Sequence, residues 1–97
     1  AKRSPILPDT PTIAETIPGF AADNWWGILV AAGTPQPIVD RLHKEIGVVL
    51  TSPETQKRFA SEGAAVVQMS SSEFGAMIAS ETAKWGRVVR EAKITGD

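Results

Sequence analysis

The residues that could carry chemistry are few. The single histidine, His43, stands among Arg41, Lys44 and Glu45. An imidazole can serve as a general base or hold a metal ion. A metal site needs several ligands converging on one point, and no second histidine and no cysteine stands near His43 in the chain. His43 therefore reads as a solvated side chain on a helix surface. Ser70, Ser71 and Ser72 offer hydroxyls. A nucleophilic serine needs a base to take its proton, and the one histidine forms no triad pattern with them. They read as helix-capping residues. Gly27, Gly33, Gly47 and Gly63 do not have the spacing of a phosphate-cradling loop. Glu81, Lys84, Arg87 and Glu91 recur three and four residues apart, as on a solvated helix face with charge pairs of about 0.2–0.5 kcal/mol each. With no cysteine, disulfides and thiolate ligands are excluded. These residues predict no catalysis, no metal and no cofactor.

The aromatic residues raise a different possibility. Trp25 and Trp26 are adjacent in a chain with three tryptophans. Neighbouring residues on a strand point to opposite faces, so a single cleft or helix layer can receive one of the two rings. Both read as packing residues. The alternative is that one ring lies at a cleft opening, with the Asn24 amide beside it. Trp85, at helical spacing, reads as a packing anchor rather than part of a ligand box.

Positioning any such residue falls to a short chain. Its 97 residues suit one domain at most and bury a modest core. The apolar fraction, 42%, fits a globular protein rather than a disordered one. Ten basic and 11 acidic side chains give a net charge of −1, against the clustered cations that a nucleic-acid surface requires. No apolar run approaches the roughly 20 residues that span a bilayer. There is no initiating Met and no signal-peptide pattern. The opening "AKRSP" reads as mid-sequence, so the chain is expected to be a piece of a longer protein.

The order of elements is legible. Residues 1–12 carry three prolines, which fix φ and cannot donate to a ladder, so an extended loop is expected. Thr12 and Glu15 have the spacing of a capping box for a short helix that Pro18-Gly19 ends. "NWWGILVAA", residues 24–32, reads as a strand. It is apolar at nearly every position, as in a parallel sheet covered on both faces. Thr34 then reads as an N-cap with Pro35 at the first helical position. Ile38, Val39, Leu42, Ile46, Val49 and Leu50 make one apolar stripe. Ser52, Pro53 and Glu54 start a shorter helix that carries Phe59 inward and stops at Gly63. "AAVVQM", residues 64–69, is a second strand reading. Ser70 and Glu73 match a capping box for the last helix, whose apolar side is Phe74, Met77, Ile78, Trp85, Val88, Val89 and Ala92.

This gives an α/β chain with helices packed on a short, mainly parallel sheet. Two strands cannot complete such a sheet, since an isolated pair is marginal. Completion is expected from another part of the polypeptide or from another chain, and a lone copy is expected to form a homo-oligomer.

The stretches "RSPILPDTPTIAE", "PGF", "NWWGILVAAGTPQPIVDRLHKEI", "SPETQKRFASEGA" and "EFGAMIASETAKWGRVVREAKI" resemble the C-terminal part of the Bug-type periplasmic solute-binding proteins. These are the receptors of tripartite tricarboxylate transporters. Leu7 to Glu15 fits the family's Leu-Pro-Asp-x-Pro-Thr-x-x-Glu pattern at every fixed position. The resemblance covers nearly the whole chain and is specific in combination.

The resemblance implies part of one lobe of a two-lobed periplasmic-binding-protein fold of type II, with a ligand cleft between lobes. It implies a single incomplete domain: residues 1–23 as a proline-rich lead-in with a short helix, and 24–97 as a lobe segment. It further implies a small carboxylate ligand, delivery to membrane transporter subunits, periplasmic location and no enzymatic activity. The N-terminal lobe strands and the first ligand-contacting loop of such a receptor are not in this chain. Within it, the loop Pro8 to Thr12 is the segment expected to approach the cleft. Thr12 would stand at a helix N-terminus, where backbone N–H groups favour anions. Asp9 would repel a carboxylate and is given a turn-capping role. Thr12 and Trp25 are the expected ligand contacts. The alternative reading is a stand-alone, self-associating α/β interaction module.

Overall fold

The computed structural model describes residues 2–96; Ala1 and Asp97, the outer ends of the 1–23 and 24–97 segments, lie outside the described residues. The chain divides into two compact units, Ala1–Val66 and Val67–Asp97.

The first unit begins with two consecutive turns. The Leu7 N–H donates to the Ser4 carbonyl at 3.0 Å, and the Thr10 N–H to the Leu7 carbonyl at 3.1 Å. Pro5 and Pro8 hold the second position of these turns, where a fixed φ near −65° is already correct. Asp9 follows Pro8 inside the second turn. Thr12 then leads into a single 3₁₀ turn, Ile13–Glu15. Pro18 and Gly19 make the next reversal, closed by the Phe20 N–H on the Ile17 carbonyl at 3.2 Å, with Gly19 at φ 83°. That left-handed φ after a proline is the type II arrangement, which favours glycine.

Two helices complete this unit. Helix α1 spans Gln36–Thr51 and helix α2 spans Pro53–Ser61. Helix α1 starts one residue later than the Thr34 cap reading, with Pro35 as its N-cap. The Thr34 hydroxyl turns back instead and donates to the Ala31 carbonyl at 2.7 Å, tightening the Ala31–Thr34 turn. Ser52 forms the elbow between the helices. Its hydroxyl donates to the Val49 carbonyl at 2.8 Å and accepts the Thr55 N–H at 3.3 Å, ending one helix and starting the next. Helix α2 closes in a Schellman motif: Ala64 N–H to Phe59 carbonyl, 2.9 Å, and Gly63 N–H to Ala60 carbonyl, 3.1 Å. Gly63 has φ 73°, and a Cβ there would meet the Ile6 side chain at 3.0 Å. The proline-rich loop is thus seated against the end of α2.

The second unit is dominated by helix α3, Ser71–Glu91. Its capping box is the one expected. The Ser70 N–H donates to Glu73 Oε2 at 2.7 Å and the Glu73 N–H to Ser70 Oγ at 3.2 Å. The backbone and hydroxyl donors of Ser70 hold the Glu73 carboxyl below its ordinary pKa. Helix α3 also ends in a Schellman motif, here with Lys93 at φ 53° in the place glycine usually takes. No helix in the described residues is long and apolar enough to cross a membrane.

The expected α/β architecture is corrected. Among the described residues there is no strand and therefore no sheet, parallel or otherwise. Residues 24–32 and 64–69 run without regular structure. Strand composition is necessary but not sufficient: a strand exists only when a neighbour completes its ladder. Without that neighbour, the apolar side chains of the first run stay open. Trp26 is 83% exposed, Leu29 71% and Ile28 69%. A folded chain of this size ordinarily hides roughly 60–70% of its surface, yet no described residue of this one is buried. The helical stripes are half-covered at best. Val39, Ile46 and Leu50 on α1, and Phe74, Met77, Ile78 and Val88 on α3, are the half-buried members.

Candidate functional site

Two concavities lie within the first unit. The larger is a groove of ≈ 400 Å³ lined by Ile28 and by side chains of α1 and α2, among them Ile46, Leu50 and Phe59. Glu45 is its one charged lining residue. Such a lining suits an apolar cover, not an anionic ligand.

The smaller hollow, ≈ 190 Å³, is lined by Lys2, Thr12, Ile13, Ala14, Phe20, Ala21, Ala22 and Asp23. Its walls come from the 3₁₀ turn and from the chain beyond the Pro18-Gly19 reversal. Lys2 and Asp23 place one cation and one anion on its rim, with the Phe20 ring as an apolar surface. At this volume the hollow is smaller than the roughly 300–1,000 Å³ of small-molecule sites and could hold part of a ligand, not a whole one.

Thr12 therefore lies in the wall of a hollow, but its backbone N–H is already engaged. It donates to Glu15 Oε2 at 2.7 Å. Glu15 also receives the Arg3 guanidinium, Nε to Oε2 at 2.9 Å and Nη2 to Oε1. The Arg3 fork, followed by the Thr12 backbone N–H, holds the Glu15 carboxyl down to a pKa of about 2. The anion-favouring position at the start of the turn is filled from within the chain. What Thr12 presents to the hollow is its place in the wall. Trp25 lines neither concavity, so the structure does not bring the two expected contacts together around one cavity. Trp25 is 37% exposed, against 83% for Trp26.

Sequence reasoning missed Arg3. Glu15 was legible as a capping-box member, but its partner lies 12 residues upstream, at no helical or strand period. The lone arginine in a proline-rich stretch was the available signal. His43 lies on the exposed surface of α1, and no group of three or more metal-ligating side chains occurs among the described residues.

These features acquire a context from related proteins. The chain belongs to the tripartite tricarboxylate transporter family receptors, whose family model matches residues 1–94. It is 30% identical over 97 residues to the UPF0065 protein in the tcbD-tcbE intergenic region of Pseudomonas sp. strain P51, covering 98% of this chain and 29% of that one. It is 34% identical over 90 residues to the protein BugT of Bordetella pertussis, covering 92% of this chain and 28% of that one. The chain thus spans less than a third of the length of these two relatives. No solved structure matches it.

Proposed function

We propose that this chain is a segment of a periplasmic receptor that binds a small carboxylate and presents it to the membrane subunits of a tripartite transporter. The observation that supports this reading is the family match across residues 1–94. On this reading the hollow beside the Pro8–Thr12 turn forms part of the ligand's surroundings. Lys2 supplies the nearby cation and Thr12 the wall, while Trp25, outside both concavities, is proposed to meet the ligand beyond the hollow. The remaining contacts come from parts of the receptor that this chain does not contain.

The test is ligand-linked stabilisation. A ligand that binds the folded state at 100 times its Kd adds about 2.7 kcal/mol. A longer receptor carrying this segment is expected to melt higher with one of a panel of di- and tricarboxylates, and unchanged with the matching neutral amides. Stabilisation by no carboxylate, or equally by the amides, overturns the reading.

A second reading, self-association, is favoured by the exposure of Trp26, Ile28 and Leu29. Apolar residues this open on neighbouring positions recruit a cover.

A further inference from the structure

The Arg3 guanidinium makes more than a surface ion pair. Beyond its fork on Glu15, Nη1 donates to the Pro8 carbonyl at 3.3 Å. The same Glu15 carboxylate holds the Thr12 backbone N–H. Positions 3, 8, 12 and 15 are therefore tied through one charged cluster. An isolated exposed ion pair contributes little, because ordering two long side chains offsets the attraction. A bidentate fork that also binds two backbone groups is a different object, since its geometry is fixed in a plane and each added bond orders no new side chain. Between the tied points, Pro5, Pro8 and Pro11 restrict φ, and two turns take up the intervening chain. Little freedom remains while the cluster is closed.

Thr12 is common to this cluster and to the wall of the smaller hollow. The opposite wall, Phe20 to Asp23, follows the Ile17–Phe20 turn. We propose that the Arg3–Glu15 pair is a latch that fixes Thr12 and Ile13 as one wall of the hollow, with Arg3 a positioning residue that acts through Glu15. Opening the latch frees that wall relative to Phe20 while leaving α1 intact. The consequence for ligand binding rests on the receptor reading above; the latch itself does not.

The experiment is residue-resolved amide exchange by NMR on the 97-residue chain. It compares wild type with Arg3→Gln, Glu15→Gln, the double variant and Arg3→Lys. The Thr12 amide is expected to exchange at least tenfold faster in each neutralised single variant, with α1 amides unchanged. The double variant is expected to be no faster than the faster single, because the two residues act as one unit. Arg3→Lys restores part of the protection, since an ammonium keeps the charge but not the fork. Unchanged Thr12 exchange in Arg3→Gln overturns the latch. So do additive effects in the double variant, or equal acceleration throughout α1 in Arg3→Gln that Arg3→Lys does not relieve. The di- and tricarboxylate panel, citrate among it, is then titrated into a longer receptor carrying this segment and into its Arg3→Gln variant, with the melting temperature as the readout. Weaker binding in the variant extends the latch to ligand. No response in either protein counts against the ligand reading and leaves the exchange result standing.

Discussion

The proline-rich stretch, residues 3–20, and the apolar stretch, residues 24–32, both lack long regular elements, yet they are ordered on opposite terms. The first is defined by bonds it makes with itself: three turns, a 3₁₀ turn and the Arg3–Glu15 cluster; the seat of Ile6 on Gly63 adds a long-range contact. The second has the composition of an inner strand and forms none among the described residues. Local chemistry suffices where the partners lie within about a dozen residues. Burial does not come from local chemistry, because it needs a surface that the segment cannot provide for itself.

The largest effect that separates the two is expected from association. Covering Ile28 and Trp26 contributes about 1.5–3 kcal/mol per side chain. If copies of the chain cover each other's apolar stretch, the paired change Trp26→Ser with Ile28→Lys weakens the dimer more than a hundredfold in sedimentation equilibrium. A wild-type chain that stays monomeric at high micromolar concentration removes self-association as the source of the cover. The same pair of changes in residues 3–20, Ile6→Ser with Leu7→Lys, is expected to leave the association constant near its original value.

Gly63→Ala attacks the first stretch at its seat. The left-handed φ costs a Cβ-bearing residue about 1–2 kcal/mol, and Ile6, 3.0 Å from the new Cβ, has to move. Denaturant unfolding is expected to shift by at least that amount, with the added loss traced to Ile6 by the double change Ile6→Ala/Gly63→Ala. A shift smaller than about 0.5 kcal/mol shows that the loop is not held there.

Gly19→Ala and Gly33→Ala form a matched pair, one at the end of each stretch. Both glycines have φ 83° and open space where a Cβ would go. Backbone strain alone predicts about 1 kcal/mol for each. A much smaller cost at Gly33 would mean that the Ala31–Thr34 turn relaxes freely because the apolar stretch before it is not anchored.

The smallest effect is confined to one side by acid. The Glu15 carboxyl is lowered from 4.5 to about 2. A depressed carboxylate stabilises the fold in full above its unfolded pKa, and that contribution fades as pH falls from about 4.5 toward 2. In that window the Thr12 and Glu15 resonances are expected to move together, with a midpoint that rises toward 4.5 in Arg3→Gln. Residues 24–32 are not expected to follow the Glu15 midpoint.

What could be read in the sequence follows the same division. The Ser52 elbow, the Ser70–Glu73 box, the Thr12–Glu15 spacing, the Pro18-Gly19 reversal and the Gly63 stop were all legible, because each is decided within six residues. The helical stripes were legible from their period. The sheet was not, because "NWWGILVAA" reports what a strand would prefer and is silent about whether a partner is present. The Thr34 cap slipped by a residue when its hydroxyl found the nearer Ala31 carbonyl. Lys93 at φ 53° had no signal, since a lysine does not announce a left-handed turn. Of the site, Thr12 was placed in a hollow wall by the structure, while Arg3, whose partner lies 12 residues away, was invisible to any periodic pattern.

The unequal exposure of the tryptophans has an optical consequence. Water relaxes around the excited indole dipole and lowers the energy of the emitted light. Trp26, 83% exposed, is therefore the red-shifted, readily quenched emitter of the three. The Trp85 indole N–H is bonded to Glu81 at 2.8 Å, and the Lys84 ammonium stands 5.1 Å from its ring, so its surroundings are set within its own helix. Whatever comes to cover residues 24–32 dries Trp26 first. The difference spectrum between wild type and Trp26→Phe isolates that one ring, and a blue shift in it reports any cover over residues 24–32 with no label attached.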